Sequence, residues 1–539
     1  MPCADYARRM KSLDLLIVGA GFGGLYMLHK ARSLGLDAQA IEAAPSVGGT
    51  WYHNRYPGAR VDIQSLEYSY SFDEALQQQW CWRERYAPQP ELLRYANHVA
   101  DRFALRDGIA LSTHMRGAHF DESTQRWQVF ADDGRQWNAR FLVMASGPLS
   151  SPNRPDFPGL HEFEGPVLHT ADWPHQPVDF SGRRVAVVGT GSSAVQAIPL
   201  IAPQARELTV FQRTAAYAAP AHNGPLDAAF EARVKADYPG FRARNRRMHG
   251  GFGCELPPNP VSALAVSADA REAAFEERWR AGGFAVLGAF NDLLLNLQAN
   301  AHLAEFVHAK IRAAVQDRDT AALLSPTHTI GCKRLCVDTG YYATFNRANV
   351  RLVDVSQAPI ERFSARGLRS GGRDFEFDAL VLATGFDAMT GTMLRLDLRG
   401  RGGLPIQSKW RAGPLNYLGL GLAGFPNLFS IAGPGSTAAF TNVVVAIEQH
   451  VDWIGDCIAH MGRTGKSTIE PAEAAEAGWT EVVNAAARRT VFLSCNSWYL
   501  GANIPGKPRM FMPLADGFPR YADHCANVAR KGYEGFVLA

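Results

Sequence analysis

One backbone device occurs twice in this chain and limits what it can fold into: a short apolar run, a glycine-rich turn, and a segment with helical spacing. The first copy runs from residues 13–18 through Gly19-Ala20-Gly21-Phe22-Gly23-Gly24 into 25–34. The second runs from 185–188 through Gly189-Thr190-Gly191-Ser192-Ser193-Ala194 to residue 201. Short apolar runs bounded this way predict buried strands, and the periodic segments behind them predict helices. In the first turn Gly19 permits the tight bend, Gly21 lets backbone N–H groups approach a pyrophosphate, and Gly24 lets the helix close on the strand. The helix N-terminus then faces the phosphates. A second glycine pair, Gly48-Gly49 before Thr50 and Trp51, removes side chains where the backbone must pass close to a bound group.

Each unit continues into a second strand, and the residues that end those strands differ in sign. Glu42 follows 37–41, at the spacing where a carboxylate accepts hydrogen bonds from an adenosine ribose and repels a 2′-phosphate. Arg213, followed by Thr214, holds the same register after 208–212. A guanidinium forked onto a 2′-phosphate contributes about 1.5–3 kcal/mol, which is tenfold or greater discrimination. The first unit therefore reads as a site for an unphosphorylated dinucleotide, and the second as one preferring NADPH to NADH. The competing readings are a bare glycine-rich turn, which leaves Glu42 unexplained, and a solvated surface charge for Arg213.

Two such units predict an α/β chain with two Rossmann-like dinucleotide-binding domains, and 539 residues are too many for one compact domain. Arg140-Phe141-Leu142-Val143-Met144-Ala145-Ser146-Gly147 and Asp378-Ala379-Leu380-Val381-Leu382-Ala383-Thr384-Gly385 are apolar strands ending in a small residue and glycine. They are expected to be hinge strands, with the chain crossing between domains near Pro148 and Phe386. The expected division is 1–148 and 386–539 for the first nucleotide domain, 149–219 and 331–385 for the second, and a helical insertion over 220–330. Within the insertion 267–281 and 299–315 carry helical spacing, with packing or channel formation both open.

A formal charge of +3 with interspersed signs excludes a nucleic-acid surface. The eight cysteines, including Cys332 and Cys336, lack zinc or redox-dithiol spacing, so free thiols in a reducing cytoplasm and no metal are expected. The polar N-terminus carries no leader pattern. Residues 415–447 lack formal charge, but repeated Gly and Pro break them, and they read as buried strand, loop and helix rather than a membrane span. Nothing in the sequence sets the oligomeric state, and a monomer is compatible with it.

Two longer phrases narrow the chemistry. Gly48-Gly49-Thr50-Trp51-Tyr52-His53-Asn54-Arg55-Tyr56-Pro57-Gly58-Ala59-Arg60-Val61-Asp62 precedes the first hinge strand, and Phe163-Glu164-Gly165-Pro166-Val167-Leu168-His169-Thr170-Ala171-Asp172-Trp173-Pro174 precedes the second glycine turn. Together they resemble the fingerprints of the Baeyer–Villiger monooxygenases, and further phrases at 339–350, 423–429, 447–453 and 497–507 extend the resemblance over nearly the whole chain.

The resemblance implies FAD in the first unit and NADPH in the second, with a ketone and O2 as substrates. NADPH reduces FAD, oxygen adds at flavin C4a, and the deprotonated peroxyflavin attacks a cyclic, aryl-aliphatic or steroid-like ketone to give an ester or lactone. Arg334, within Gly331-Cys332-Lys333-Arg334-Leu335, matches the family's catalytic arginine, and Asp62 matches the carboxylate that positions it. Arginine suits the task because it stays charged at any working pH. Lys333 stands beside Arg213 as a ligand for the NADP phosphate. His169 matches an inter-domain linker histidine, read as conformational before substrate-binding. Trp498 lies in 495–507, which resembles a mobile loop over NADP and substrate. Ala438, Ala439 and Phe440 resemble a pocket-lining loop, although Thr437-Ala438-Ala439-Phe440 departs from the family's usual run. The rival readings are a flavin monooxygenase for amines or sulfides, an NADPH-dependent flavin reductase or oxidase, and a nucleotide-binding protein without turnover. Trp173, Pro174 and Arg334 weigh against the first of these.

Overall fold

A computed structural model describes residues 11–539; Cys3 and the N-terminal reading over 1–10 lie outside the described residues. The first glycine turn sits in the larger of two parallel arrays. Strand Lys11–Val18 lies between Ala38–Ile41 and Gln136–Met144, with Leu15 opposite Ala38 on one side and Phe141 on the other. The full order is Asp397–Arg399, Met115–Asp121, Arg126–Ala131, Gln136–Met144, Lys11–Val18, Ala38–Ile41, Ile109–Ala110. Strand Gln136–Met144 serves two further neighbours: its first half pairs antiparallel with Arg126–Ala131 and its second half parallel with Leu428–Ser430. Residues from both ends of the chain thus share one sheet.

Leu15, Leu16 and Ile17 are fully buried in succession, as expected for a central parallel strand covered on both faces. Helix Phe22–Ser33 covers it and packs in turn against Val443–Thr464. The second glycine turn belongs to a five-stranded, all-parallel sheet in the order Val350–Asp354, Glu207–Gln212, Arg184–Val188, Ala379–Leu382, Val167–His169. An antiparallel meander, Ile360–Ser364, Gly367–Ser370 and Arg373–Glu376, follows the first of these strands. Its alternating charged residues gave no apolar run to read in the sequence.

Residues 220–330 form helices Ala228–Ala236, Tyr238–Arg246, Ala268–Ala281, Leu297–Ala314 and Arg318–Leu324. Their starts are set by Asp227, Asp237, Ser267, Asn296 and Asp317, whose side chains accept from first-turn N–H groups. Over 415–447 the chain forms strand Leu428–Ser430, a loop and the start of helix Val443–Thr464, and no helix among the described residues is long and apolar enough to cross a membrane.

The first fingerprint phrase turns out to strap the two sheets together. Tyr56 Oη donates to Gln196 Oε1 at 2.8 Å, and Gln196 Nε2 donates to Arg60 O at 3.1 Å. Gly58 sits at φ +82°, and a Cβ there would lie 2.3 Å from Gln196 O on helix Ser192–Ile201. Tyr56 and Ala59 pack in the core of the second unit.

The expectation of free thiols fails for one pair. Cys332 and Cys495, 163 residues apart, form a disulfide with Cα atoms 5.9 Å from each other. Spacing rules compare cysteines near in sequence, and this bridge is made by a return of the chain that no local pattern records. Among the other described cysteines, Cys81, Cys254, Cys336, Cys457 and Cys525 are free.

The close approach at Gly58 makes Gly58→Ala destabilising by roughly 1–3 kcal/mol, through positive φ and the clash with Gln196 O. Gly478→Ala, in mid-helix with open space around its Cβ position, is expected to hold or raise the melting midpoint. Paired thermal melts check both, and an unchanged midpoint for Gly58→Ala contradicts the strap.

Candidate active site

The groove of the first unit is made by two glycine turns in contact. Gly19, at φ +109°, has Ala145 O where a Cβ would stand, and a Cβ on Gly24 would overlap Gly19 O. Gly21 and Gly49 face each other: a Cβ on Gly49 would lie 2.8 Å from Gly21 Cα. Gly48 N donates to Ala20 O at 3.0 Å, fixing the second turn against the first. Glu42, nearly buried, accepts from Ala20 N at 2.6 Å and from Ala44 N at 2.8 Å. These bonds aim the carboxylate at the turn while leaving lone pairs for a ribose. Thr50 opens a one-turn helix and is exposed, whereas Trp51 is buried with its indole N–H on Tyr68 Oη at 3.2 Å.

In the second unit Gly189, at φ +111°, has Ala383 O at its Cβ position, and Gly191 caps the helix in open space. Thr190 Oγ1 donates to Thr214 O at 2.7 Å, tying the turn to the end of the second strand. Ser192 Oγ lies 3.5 Å from Cys336 Sγ, and Ser193 hydrogen-bonds toward Tyr56. Arg213 is exposed. Burial, and then the positive charge of Arg213, push the Lys333 ammonium below the ordinary lysine range. The two cations stand close enough for the charge of one to be felt at the other.

Arg334 and Asp62 meet side by side: Nε donates to Oδ2 at 2.7 Å and Nη2 to Oδ1 at 3.0 Å. Nη1 donates to Ala439 O at 2.9 Å, and the guanidinium lies 5.1 Å from the centre of the Phe284 ring. Burial opposes its charge, but the Asp62 carboxylate outweighs burial and holds the proton more tightly than in an ordinary arginine. Three of the five N–H groups are thereby used and two remain.

His169 is buried away from Arg334, between the two chain crossings. Its Nδ1 accepts from Ala171 N at 3.0 Å, which leaves Nε2 protonated to donate to Asn153 O at 3.1 Å, beside Thr384 Oγ1. Burial lowers its pKa, so the ring stays neutral and pins 153 to 384. Trp498 packs with Leu149, Phe386, Met389 and Met512 against the same crossings. The loop is fixed there by Lys507 Nζ on Asp387 Oδ1 at 2.5 Å and by Asn503 Nδ2 on Phe386 O at 2.7 Å.

Ala438 and Ala439 are buried beside Arg334, and Phe440 stacks on Phe492 at 4.5 Å with Tyr499 and Phe511 around it. Sequence reasoning missed Phe284, Phe492, Tyr499, Phe511, Asp387 and Lys507. Phe284, Phe492 and Phe511 come from segments without a recognised motif, whereas Tyr499 lies within the 497–507 phrase and only its packing was hidden. Lys507 and Asp387 each stood in a quoted phrase or next to one, and only their pairing was hidden.

The pyridine nucleotide-disulphide oxidoreductase family model matches residues 16–235. A Baeyer-Villiger monooxygenase of Pseudooceanicola batsensis is 41% identical over 528 residues, covering 97% of this chain and 96% of its own. A phenazine N-monooxygenase of Lysobacter antibioticus is 40% identical over 97% of each. Among solved structures, an oxidized steroid monooxygenase bound to NADP superposes with a TM-score of 0.93 at 48% identity, over 98% of this chain and 99% of its own. The chain belongs to the Baeyer–Villiger monooxygenases. It is an FAD- and NADPH-dependent oxidoreductase that converts ketones to esters or lactones.

Arg213→Ala is expected to narrow the NADPH-over-NADH preference in kcat/KM by tenfold or more, about 1.5–3 kcal/mol of lost phosphate contact. Lys333 loses its proton as pH rises through its lowered pKa. The KM for NADPH should therefore climb in the alkaline range below the ordinary lysine value, and Lys333→Arg should flatten that climb. A flat KM profile in the parent protein contradicts the assignment of Lys333.

Proposed function

We propose that Arg334, positioned by Asp62, is the catalytic cation of a ketone monooxygenase acting on aryl or cyclic apolar ketones. The observation that carries it is the guanidinium that spends three N–H groups on Asp62 and Ala439 and keeps two for an oxyanion. Bound FAD supplies the reduced ring on which O2 is activated. The groove between Gly19, Gly21, Gly24 and Gly49 suits its pyrophosphate, with Thr50 and Trp51 alongside and Glu42 for its ribose. Gly189, Thr190, Gly191, Ser192 and Ser193 suit the NADP pyrophosphate, with Arg213, Thr214 and Lys333 toward its 2′-phosphate. Residues 1–148 with 386–539 would form the FAD domain, 149–219 with 331–385 the NADP domain.

The chain's own residues then do three things. Asp62 keeps Arg334 charged and fixed, so no reorganisation would be needed when negative charge develops on a reacting oxygen. Phe284, Phe440, Phe492, Tyr499 and Phe511 form an apolar wall near that cation, which excludes water and favours a flat or cyclic ketone. The loop 495–507, with Trp498, covers nucleotide and substrate, while His169 holds the crossings in register. One copy supplies every side chain named, so a monomer suffices, and a cytoplasmic enzyme is the reading we adopt.

The test is purified yellow protein with NADPH, ¹⁸O₂ and a panel of aryl and cyclic ketones, followed by mass spectrometry of labelled ester. Arg334→Ala should keep its FAD and its reduction by NADPH while ester formation falls by about three decades. That equals about 4 kcal/mol for one charge pair near 4 Å at an effective dielectric near 20. Asp62→Ala should impair oxygenation in the same sense. The similarity to a phenazine N-monooxygenase makes an aromatic-amine panel the natural control. N-oxide in place of ester, or a normal ester yield from Arg334→Ala, would sink the reading.

A further inference from the structure

The disulfide lies at an unusual place for a bond without catalytic work. Cys332 directly precedes Lys333 and Arg334, and Cys495 opens the loop that carries Trp498. The other end of that loop is held only by non-covalent contacts, Lys507 on Asp387 and Asn503 on Phe386. One end is thus stitched to the segment bearing the catalytic cation, and the other rests on the hinge. The two cysteines are unequal: Cys332 is fully buried, whereas Cys495 is partly exposed beside exposed Ser494 and Asn496. In a reducing compartment a persistent structural disulfide is rare, and those that occur are mostly redox-sensing or transient.

We infer that Cys332–Cys495 is a redox-modification site, opened by a dithiol reductant, that latches the 495–507 loop over the nucleotide when oxidised and releases it when reduced. A thiolate of the reductant attacks sulfur at the more accessible residue, Cys495, the S–S bond breaks, and Cys332 leaves as a thiolate that takes a proton. The reductant's second thiol resolves the mixed disulfide. The dithiol gives up two electrons and becomes its own disulfide, and both cysteines end as thiols. Release removes the tether that keeps the loop near Lys333, so the closed population falls and NADP leaves sooner. The consequence rests on the proposed role of the loop, but the bond and its effect on loop opening do not.

The experiment uses the holoenzyme purified without reductant. Denatured and titrated, it should show six thiols, rising to eight after dithiothreitol, since two of the eight cysteines are bridged. Dithiothreitol should speed chymotryptic cleavage at Trp498 and Tyr499. It should also raise NADP⁺ release and the peroxide-to-ester ratio by roughly threefold to tenfold. Cys495→Ser, a change at the partly exposed residue, should reproduce the reduced state and make it insensitive to dithiothreitol. Eight thiols in the unreduced protein overturn the inference, as do cleavage and NADP⁺ release that reduction leaves unchanged. Thiol counts and cleavage as expected, in a protein that yields no labelled ester from any ketone, would support the latch while sinking the proposed ketone reaction.

Discussion

Paired with Asp62, the Arg334 guanidinium stays charged, aimed and partly unsatisfied at the meeting of three segments. The carboxylate takes Nε and one hydrogen of Nη2, which locks the plane of the group, and Ala439 O takes one hydrogen of Nη1. A guanidinium without Asp62 would face the desolvation cost alone, and an Asp62 without Arg334 would leave a carboxylate among aromatic rings; removing either partner costs more than the pair's net worth. The three groups come from distant segments: 62 follows the strap between the sheets, 334 the helical insertion, and 439 the loop before helix Val443–Thr464. The guanidinium is therefore also a fold constraint, because its full set of bonds forms only when all three segments are in place.

The strap at 56–60 gives that constraint its leverage. Gly58 lets the backbone touch Gln196 O, and Tyr56 and Gln196 close the contact with hydrogen bonds. Asp62 hangs two residues beyond Arg60, so the position of the second unit's helix is transmitted to the carboxylate over a very short span of chain. On the opposite side His169 joins 153 to 384 while staying neutral, so its bonds do not respond to pH in the physiological range. Strap and hinge together hold two nucleotide-binding units at a distance that lets one residue pair bridge them.

The groups legible in the sequence are those whose chemistry needs a particular residue at a particular spacing. Gly19 and Gly24 were readable because a Cβ there would collide with backbone, Gly21 because the turn must let a pyrophosphate approach, and Glu42 and Arg213 because a strand end fixes their distance from the turn. Hydrophobic runs located strands Lys11–Val18 and Arg184–Val188 to within one or two residues, since burial on both faces leaves a continuous apolar signature, whereas Gln136–Met144 begins four residues before its apolar run. The meander at 360–376 carries alternating charge and was silent. The disulfide was misread because a contact across 163 residues has no local trace. The strap was quoted as a motif, but nothing in its letters told that Gly58 faces Gln196 rather than a cofactor.

The least legible part is the pocket wall, and the reason is physical. Phe284 comes from the insertion, Phe440 from the loop beside Arg334, Tyr499 from within segment 495–507, and Phe492 and Phe511 from either side of it. Oxyanion stabilisation demands one charge at one place, so its residues are tied to motifs. An apolar wall demands only area and shape, which many residue combinations supply at similar energy. Reaction class is consequently written in a few polar residues on the rigid units, whereas substrate choice is distributed over segments that the rigid units merely bring together. Segment 495–507 borders both sets: Tyr499 packs with the aromatic residues, while Lys507 and Asn503 bond to Asp387 and Phe386 at the chain crossing.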